Sequence, residues 1–326
     1  MLNLSANPRW IQTVIVDEAV LLVALVAGTF FFLLWRGVWV AFRKRTEERL
    51  ADLLVKNLFA GDAQADGGLP AIPLKLWQRQ IYRDIILNSL HEIEGAERLL
   101  LIRHYFQQGY FAHDLDLLES RAWWRRLSAI IRLDVLSVEP CREPFVNALG
   151  DEHPLVRLGA ARALSRLGGS KNTALVLATL DRVGIFRLDA QVEILHNICV
   201  NVGPAPICER LLKTKDDRTA LACVKALGQL RAPEATPVFE NLLVNTHSEP
   251  LIEAVLEGLR QIGDPECAPT VARFLQHAQA AIRAQALLTL FTIHSEEAYA
   301  RLPGLREGDL SFEVQSVISA IERRAA

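Results

Sequence analysis

Hydrophobic and polar positions divide the chain into two regimes. From Ala19 to Trp35 the run AVLLVALVAGTFFFLLW carries no charge, and after Arg36 the apolar character resumes as GVWVAF to Phe42. As a helix the segment 19–42 would extend about 36 Å, more than the ~30 Å of a bilayer core. Beyond it the pattern becomes periodic. Leu133, Leu164, Leu195, Leu227, Leu259 and Leu290 are spaced 31, 31, 32, 32 and 31 residues apart, and Ile321 falls 31 further on. Three positions before these anchors stand Ile130, Ala161, Val192, Val224, Leu256 and Leu287. Three positions after stand Leu136, Leu167, Ile198, Leu230, Ile262 and Ile293. Spacings of three put each trio on one helical face, so every unit supplies a helix with a buried stripe. A second, preceding helix is predicted in each unit, for example over Pro144–Leu149 and Ala268–Phe274. One such pair cannot cover its own apolar face, but stacked pairs cover one another, so the expected fold is all-α, an α-solenoid preceded by one transmembrane helix.

Between the two regimes, residues 43–60 read as a short juxtamembrane helix with Leu50, Leu53, Leu54 and Leu58 on one side. Residues 61–73, GDAQADGGLPAIP, concentrate Gly, Pro and Asp without periodicity and read as a linker. Pro73 is placed to open a helix through Leu74, Leu76, Ile81, Ile85 and Leu87. The expected organisation is therefore a short extracytoplasmic N-terminus over 1–18, the transmembrane helix over 19–42 and the juxtamembrane helix over 43–60. The linker over 61–73, a helical cap over 74–111 and the solenoid over 112–326 complete it.

Composition narrows the class. The 326 residues are 51% hydrophobic and 23% charged, which excludes intrinsic disorder, and a net charge of −2 argues against a protein that grips nucleic acid through a basic surface. Cys141, Cys199, Cys208, Cys223 and Cys267 are odd in number, form no CxxC and sit in apolar stretches, as buried thiols of a reducing compartment do. A cleaved signal peptide would need a basic leader and a shorter apolar run ending at small residues. Here Asp17 and Glu18 precede the run, and Trp39, Phe42 and Arg43-Lys44-Arg45 end it in the manner of a membrane interface. Arg43, Lys44, Arg45, Arg49 and Lys56 come after the run while Arg9 alone precedes it. The expected location is therefore the inner (plasma) membrane, single-pass, N-terminus outside and solenoid in the cytoplasm. Arg36 is read as a snorkelling side chain.

The segment ALGDEHPLVRLGAARALSRLGG at 148–169 resembles the HEAT repeat, in particular the short HEAT-like form of the phycobilisome lyases. The match rests on Asp151, Pro154, Val156, Arg157, Ala160, Ala161, Ala163, Leu164, Leu167 and Gly168. The segments 226–243 and 257–275 continue the rhythm with drifting turns, and 173–201 keeps the spacing but loses the Asp-Pro turn. The resemblance covers about 112–326 and implies a protein-binding scaffold. Its enzymatic branches meet few matching residues. Deoxyhypusine hydroxylase-like arrays need several His-Glu pairs, and the chain has one, His91-Glu92. The DNA glycosylases of this fold use a basic face with aromatics, of which Trp123-Trp124-Arg125-Arg126 is the nearest trace.

Local chemistry is sparse. Glu193 and His196 have i, i+3 spacing, but one pair supplies two ligands where binuclear sites need more, so a helix-surface hydrogen bond is expected. There is no HExxH, Gly-rich phosphate loop or GxSxG. Two positions before the anchors stand Arg162, Glu193, Lys225 and Glu257, alternating in sign; two positions after stand Arg166, Asn197, Gln229 and Gln261, with Thr292 further on. These columns read either as a solvated face with weak ladder pairs or as a groove that reads a helix or extended peptide by amide and charge contacts. The expected function is a membrane-anchored scaffold or accessory subunit of an inner-membrane complex in polysaccharide synthesis or export, transport or signalling. Its expected partner is a protein, with no enzymatic activity, cofactor, metal, nucleic acid or small-molecule substrate. The alternative is a cofactor-dependent enzyme related to the HEAT-like bilin lyases or metal-binding HEAT proteins.

Overall fold

The computed structural model describes residues 8–59, 69–70, 72–182, 187–293, 304, 308 and 311–325. Among the described residues there is no strand. The chain divides into two units, 1–112 and 113–326. Most of the expected linker and the first residues of the expected N-terminus lie outside the described residues.

In the first unit α1 (Pro8–Phe59) is one helix of 52 residues. This corrects the expectation of a separate helix over 43–60: the apolar run and the amphipathic stretch join without a break. The physical reason is local, since neither Pro nor a paired Gly separates them and Ala, Leu, Glu, Arg and Lys dominate the junction. Along the first part of α1, Val20 to Phe42, the large apolar side chains are exposed. From Thr46 onward one side turns inward, with Thr46, Leu50, Leu54 and Leu58 buried at intervals of four. Leu53, expected on that side, is exposed. α1 packs against α2 (Leu76–Glu92), which packs in turn against α3 (Ala96–Gln107). α2 begins three residues after Pro73 rather than at it. Lys75 is the N-cap, and its amide donates to Gln78 Oε1 at 3.0 Å. The core of this unit includes Ile81, Tyr82, Ile86, Leu101 and Tyr105, and the buried Tyr82 hydroxyl meets His104 Nε2 at 3.0 Å.

The second unit follows the repeat. After α4 (Tyr110–Leu118) come α5 (Trp123–Leu136), α6 (Arg142–Ala148), α7 (Pro154–Leu167), α8 (Ser170–Arg182) and α9 (Leu188–Val202). The series continues with α10 (Ala205–Lys213), α11 (Asp217–Leu230), α12 (Thr236–Asn245), α13 (Glu249–Ile262), α14 (Ala268–Ala272), α15 (Ala280–Thr292) and α16 (Phe312–Ala325). The odd-numbered helices α5 to α15 pack each on the next, and α15 packs on α16, forming one continuous layer. The even-numbered helices from α6 to α14 form the other layer: α6 packs on α7, α10 on α11, α12 on α13 and α14 on α15. This is a solenoid of helical hairpins.

The anchors occupy its centre. Leu133, Leu164, Leu195, Leu227, Leu259, Leu290 and Ile321 are all buried, and so are all six residues three positions before the leucines. Three positions after, Leu136, Ile198 and Ile293 are buried while Leu167, Leu230 and Ile262 are half-buried. Four positions after the anchor, the helix is ended by a residue of positive φ: Ser137 (φ 49°), Gly168 (φ 73°), Arg231 (φ 55°) and Gly263 (φ 79°). Here α9 departs from the pattern, running on to Gly203 at φ 106°. The stack is tightest at α11 and α13. A Cβ on Gly228 would lie 2.9 Å from the Gly258 Cα, and one on Gly258 would lie 2.7 Å from Phe239 Cε2, so both positions need glycine for the helices to approach.

A second register device lies seven positions before the anchor. Arg126, Arg157 and Arg283 each donate through Nη1 to the two backbone carbonyls five and six residues earlier, at 2.7–3.2 Å. They close the turn that leads into their own helix. Arg126 also joins two repeats: Nε and Nη2 donate to Asp151 Oδ2 and Oδ1 at 2.7 and 2.8 Å, with both side chains nearly buried.

Candidate protein-docking face

The layer of odd-numbered helices brings the polar columns together. Because their neighbours in the stripe are buried, residues two positions either side of the anchor emerge at the surface on α7, α9, α11 and α13. Arg162 of α7 reaches Glu193 of α9, with Nε and Nη2 both donating to Oε1 at 2.8 and 2.7 Å, and both side chains remain largely open to solvent. Arg166 turns the other way and donates to Asp134 Oδ2 on α5 at 3.1 Å. Asn197 donates to Ser165 Oγ at 3.3 Å, and Asn201 caps the C-terminal end of α7 by donating to the Ser165 carbonyl at 2.9 Å.

At the other end of the face Glu257 gathers donors from two helices. Arg260 Nε at 2.8 Å and Gln261 Nε2 at 2.9 Å donate to it from α13, and Gln285 Nε2 donates at 2.8 Å from α15. Burial alone would raise the Glu257 carboxyl, but these hydrogen bonds and the Arg260 charge hold it below its ordinary range. Lys225, between the two clusters, is exposed and has no hydrogen bond or ion pair among the described residues. The alternating column is therefore no continuous ladder. It consists of a pair at Arg162 and Glu193, a cluster around Glu257, and a cation left uncompensated between them. Gln229, also exposed, makes no hydrogen bond among the described residues.

Asp134 was not among the residues that the spacing singled out. It stands one position after its anchor, where other repeats place Ser165, His196, Gly228 and Arg260, so no column marks it. Burial pushes its carboxyl above the ordinary value, with Glu193 adding to the rise, against the lowering effect of the Arg166 and Arg162 guanidiniums. Its Oδ1 is buried without a hydrogen-bond partner. Asp151 behaves oppositely: burial raises it, but the Arg126 hydrogen bonds, the His153 amide and the Arg126 charge together bring it below the usual carboxylate range.

The remaining motifs resolve into structure. Glu193 pairs with Arg162 and not with His196, whose Nδ1 is buried and unpartnered, which corrects the expected Glu193–His196 hydrogen bond. The reach across to the next helix supplies a charge partner that i, i+3 geometry does not. In Trp123-Trp124-Arg125-Arg126, Trp123 stacks on His153 with centroids 4.1 Å apart, Trp124 and Arg125 are exposed, and Arg126 is buried against Asp151. All five cysteines are free thiols; Cys208 is half-buried and the other four are buried. Desolvation pushes Cys141, Cys199, Cys223 and Cys267 up to about 12. Among the described residues no group of three or more His, Cys, Asp or Glu is arranged to hold a metal ion.

No family model matches the chain, and no curated protein matches it. Among solved structures it is similar to human deoxyhypusine hydroxylase in complex with glycerol, with 15% identity over 86% of this chain and 96% of that one, at a TM-score of 0.33. The expectation of a chain without enzymatic activity is corrected by this comparison, because the matched protein is an enzyme and the missing motifs are no ground for ruling catalysis out. A likeness this distant transfers neither that protein's fold nor its activity. The helical solenoid rests on the packing described above, which fits a HEAT-like repeat.

Proposed function

We propose that the chain is a membrane-anchored docking platform of the HEAT-like kind, in which the apolar part of α1 crosses the inner membrane once and the solenoid presents its odd-numbered helices to a protein partner in the cytoplasm. The observation that carries this reading is a conjunction within one chain. Helix α1 is long and apolar enough to cross a membrane, its 18-residue apolar window has none of its residues buried, and the repeat stack bears register-matched polar side chains on one helix layer. An uncovered apolar helix needs a non-aqueous surrounding, and the basic residues from Arg43 to Lys56 favour the cytoplasmic side for the chain beyond them. Anchoring would raise the local concentration of a partner bound to the same membrane. The face offers dispersed polar contacts around Lys225, which has no partner among the described residues, the kind of surface that recognises a helix or extended segment bearing carboxylates.

The test reverses charge without touching the stripe. In the full chain, Arg162→Glu with Lys225→Glu should abolish cross-linking to the partner in native membranes while leaving the thermal midpoint nearly unchanged, because exposed pairs contribute only ~0–1 kcal/mol. Cross-linking that survives the double reversal but vanishes when residues 1–42 are replaced by an unrelated membrane span would assign recognition to the transmembrane helix instead.

A further inference from the structure

The first residues of α2 are apolar and outside the core. Leu76, the first helical residue, is 86% exposed, and Trp77 beside it is 40% exposed. Nothing in helix formation requires this, since the cap is made by Lys75 and Gln78. The Trp77 ring lies 5.5 Å from that of Phe42 on α1, Phe42 lies 6.2 Å from Trp39, and one turn earlier Trp35 stacks on Phe31 at 6.5 Å. The aromatic row at the end of the apolar run thus continues from one helix onto the other. Trp39 and Phe42 are 55% and 48% exposed, so this is no buried cluster.

Both helices change character at the same level. On α1 the apolar side chains are exposed through Phe42 and the first inward-facing position is Thr46; on α2 they are exposed at Leu76 and Trp77 and the first buried positions are Ile81 and Tyr82. Cations stand at the same level, with Arg43, Lys44 and Arg45 following Phe42 and Lys75 preceding Leu76. Indole rings with Lys and Arg beside them are the side chains that settle at lipid headgroups, where an amphipathic ring keeps its apolar body in the acyl boundary.

We infer that the N-terminus of α2 is a second membrane contact: Leu76 and Trp77, seated against Phe42, enter the headgroup and upper acyl region of the leaflet from which the apolar run of α1 emerges. This rests on the proposed crossing by α1 and adds to it a site that the sequence separates from the span by more than thirty residues. The occupant is lipid because the exposed apolar surface is continuous from α1 across Phe42 to Trp77 and is bordered by cations suited to phosphate. The contact would fix the rotation and depth of α1 in the bilayer, which one uniformly apolar helix does not do alone.

The experiment uses the full chain in phosphatidylcholine–phosphatidylglycerol nanodiscs, in a Cys208→Ser background whose other thiols are buried. Nitroxide labels are placed singly at Leu76→Cys, at Leu25→Cys within the apolar run and at Gln80→Cys, an exposed position one turn further along α2. Collision with dissolved oxygen, which partitions into lipid, is compared with collision with a water-soluble nickel chelate. The expected result is oxygen accessibility exceeding nickel accessibility several-fold at positions 25 and 76, with the reverse at position 80. If position 25 is in lipid while 76 matches 80, the second contact is refuted and the span stands. If position 76 is shielded from both reagents, protein covers it, whether a partner or a second copy, and the lipid contact is refuted. If position 25 itself favours nickel, the crossing and the contact fall together.

Discussion

The sharpest test of the repeat register is Leu227→Ala. Leu227 lies on α11, flanked by α9 and α13, and has no exposed surface; its neighbours Val224, Ala226 and Cys223 are equally closed. Truncating a fully buried leucine removes its transfer free energy and leaves a cavity, about 2–5 kcal/mol in sum. The upper half of that range is expected, because the close contact at Gly228 and Gly258 holds α11 against α13 and limits collapse. Leu230→Ala, three positions on and half-buried, should cost less than half as much, and Lys225→Ala under ~0.5 kcal/mol. With ~2–4 °C of midpoint per kcal/mol for a unit of this size, Leu227→Ala should lower the helical melting midpoint by roughly 10 °C. Circular dichroism at 222 nm on the detergent-solubilised full chain reads all three. A Leu227→Ala loss no greater than that of Leu230→Ala would mean that the stripe does not form the centre of the stack.

Two half-buried carboxylates should respond to pH with opposite signs. Asp151 is held below its ordinary value, so its contribution is present above the unfolded-state value of ~3.9 and is lost as pH falls through the lower folded value; Asp151→Asn should destabilise by about 3 kcal/mol at neutral pH and flatten acid unfolding below about pH 4. Asp134 is raised, so its contribution is present below the unfolded value and is lost as pH rises through the folded value; Asp134→Asn should therefore improve stability at pH 7 relative to the parent more than at pH 3. Melting curves of both variants at the two pH values check this, and parallel behaviour would contradict the assigned environments. Thiol titration of the folded protein at pH 8 should modify Cys208 first and leave the other four unreacted until unfolding, whereas rapid reaction of Cys223 would place it outside the core.

The repeat was legible because a buried stripe imposes the same demand on every unit, and a single leucine column discloses it. The continuity of α1 through Phe42 was harder to read: composition changes there, but backbone continuity depends on breakers, and the stretch after Gly37 to Phe59 contains none. The arginines at 126, 157 and 283 also stand at a fixed distance from their anchors and were open to the same counting; Arg157 entered through the HEAT motif and Arg126 through the Trp-Trp-Arg-Arg cluster, neither as a repeated position. Asp134 and the Arg126–Asp151 pair were beyond spacing arguments, since each depends on which helices touch. The column of alternating sign likewise suggested a partner for Lys225, but Glu257 is satisfied by Arg260, Gln261 and Gln285, which leaves the lysine without one.

The docking face itself is tested most directly by a photo-activated cross-linker placed in turn at Gln229, exposed beside Lys225, and at Lys171, exposed on the even-numbered layer. Each full-length variant is irradiated in its native membranes. Docking on the odd-numbered helices predicts one discrete adduct from position 229, none from position 171, and loss of the adduct when Arg162→Glu and Lys225→Glu are added. Adducts from position 171 with none from position 229, or an adduct at 229 indifferent to the charge reversal, would contradict it.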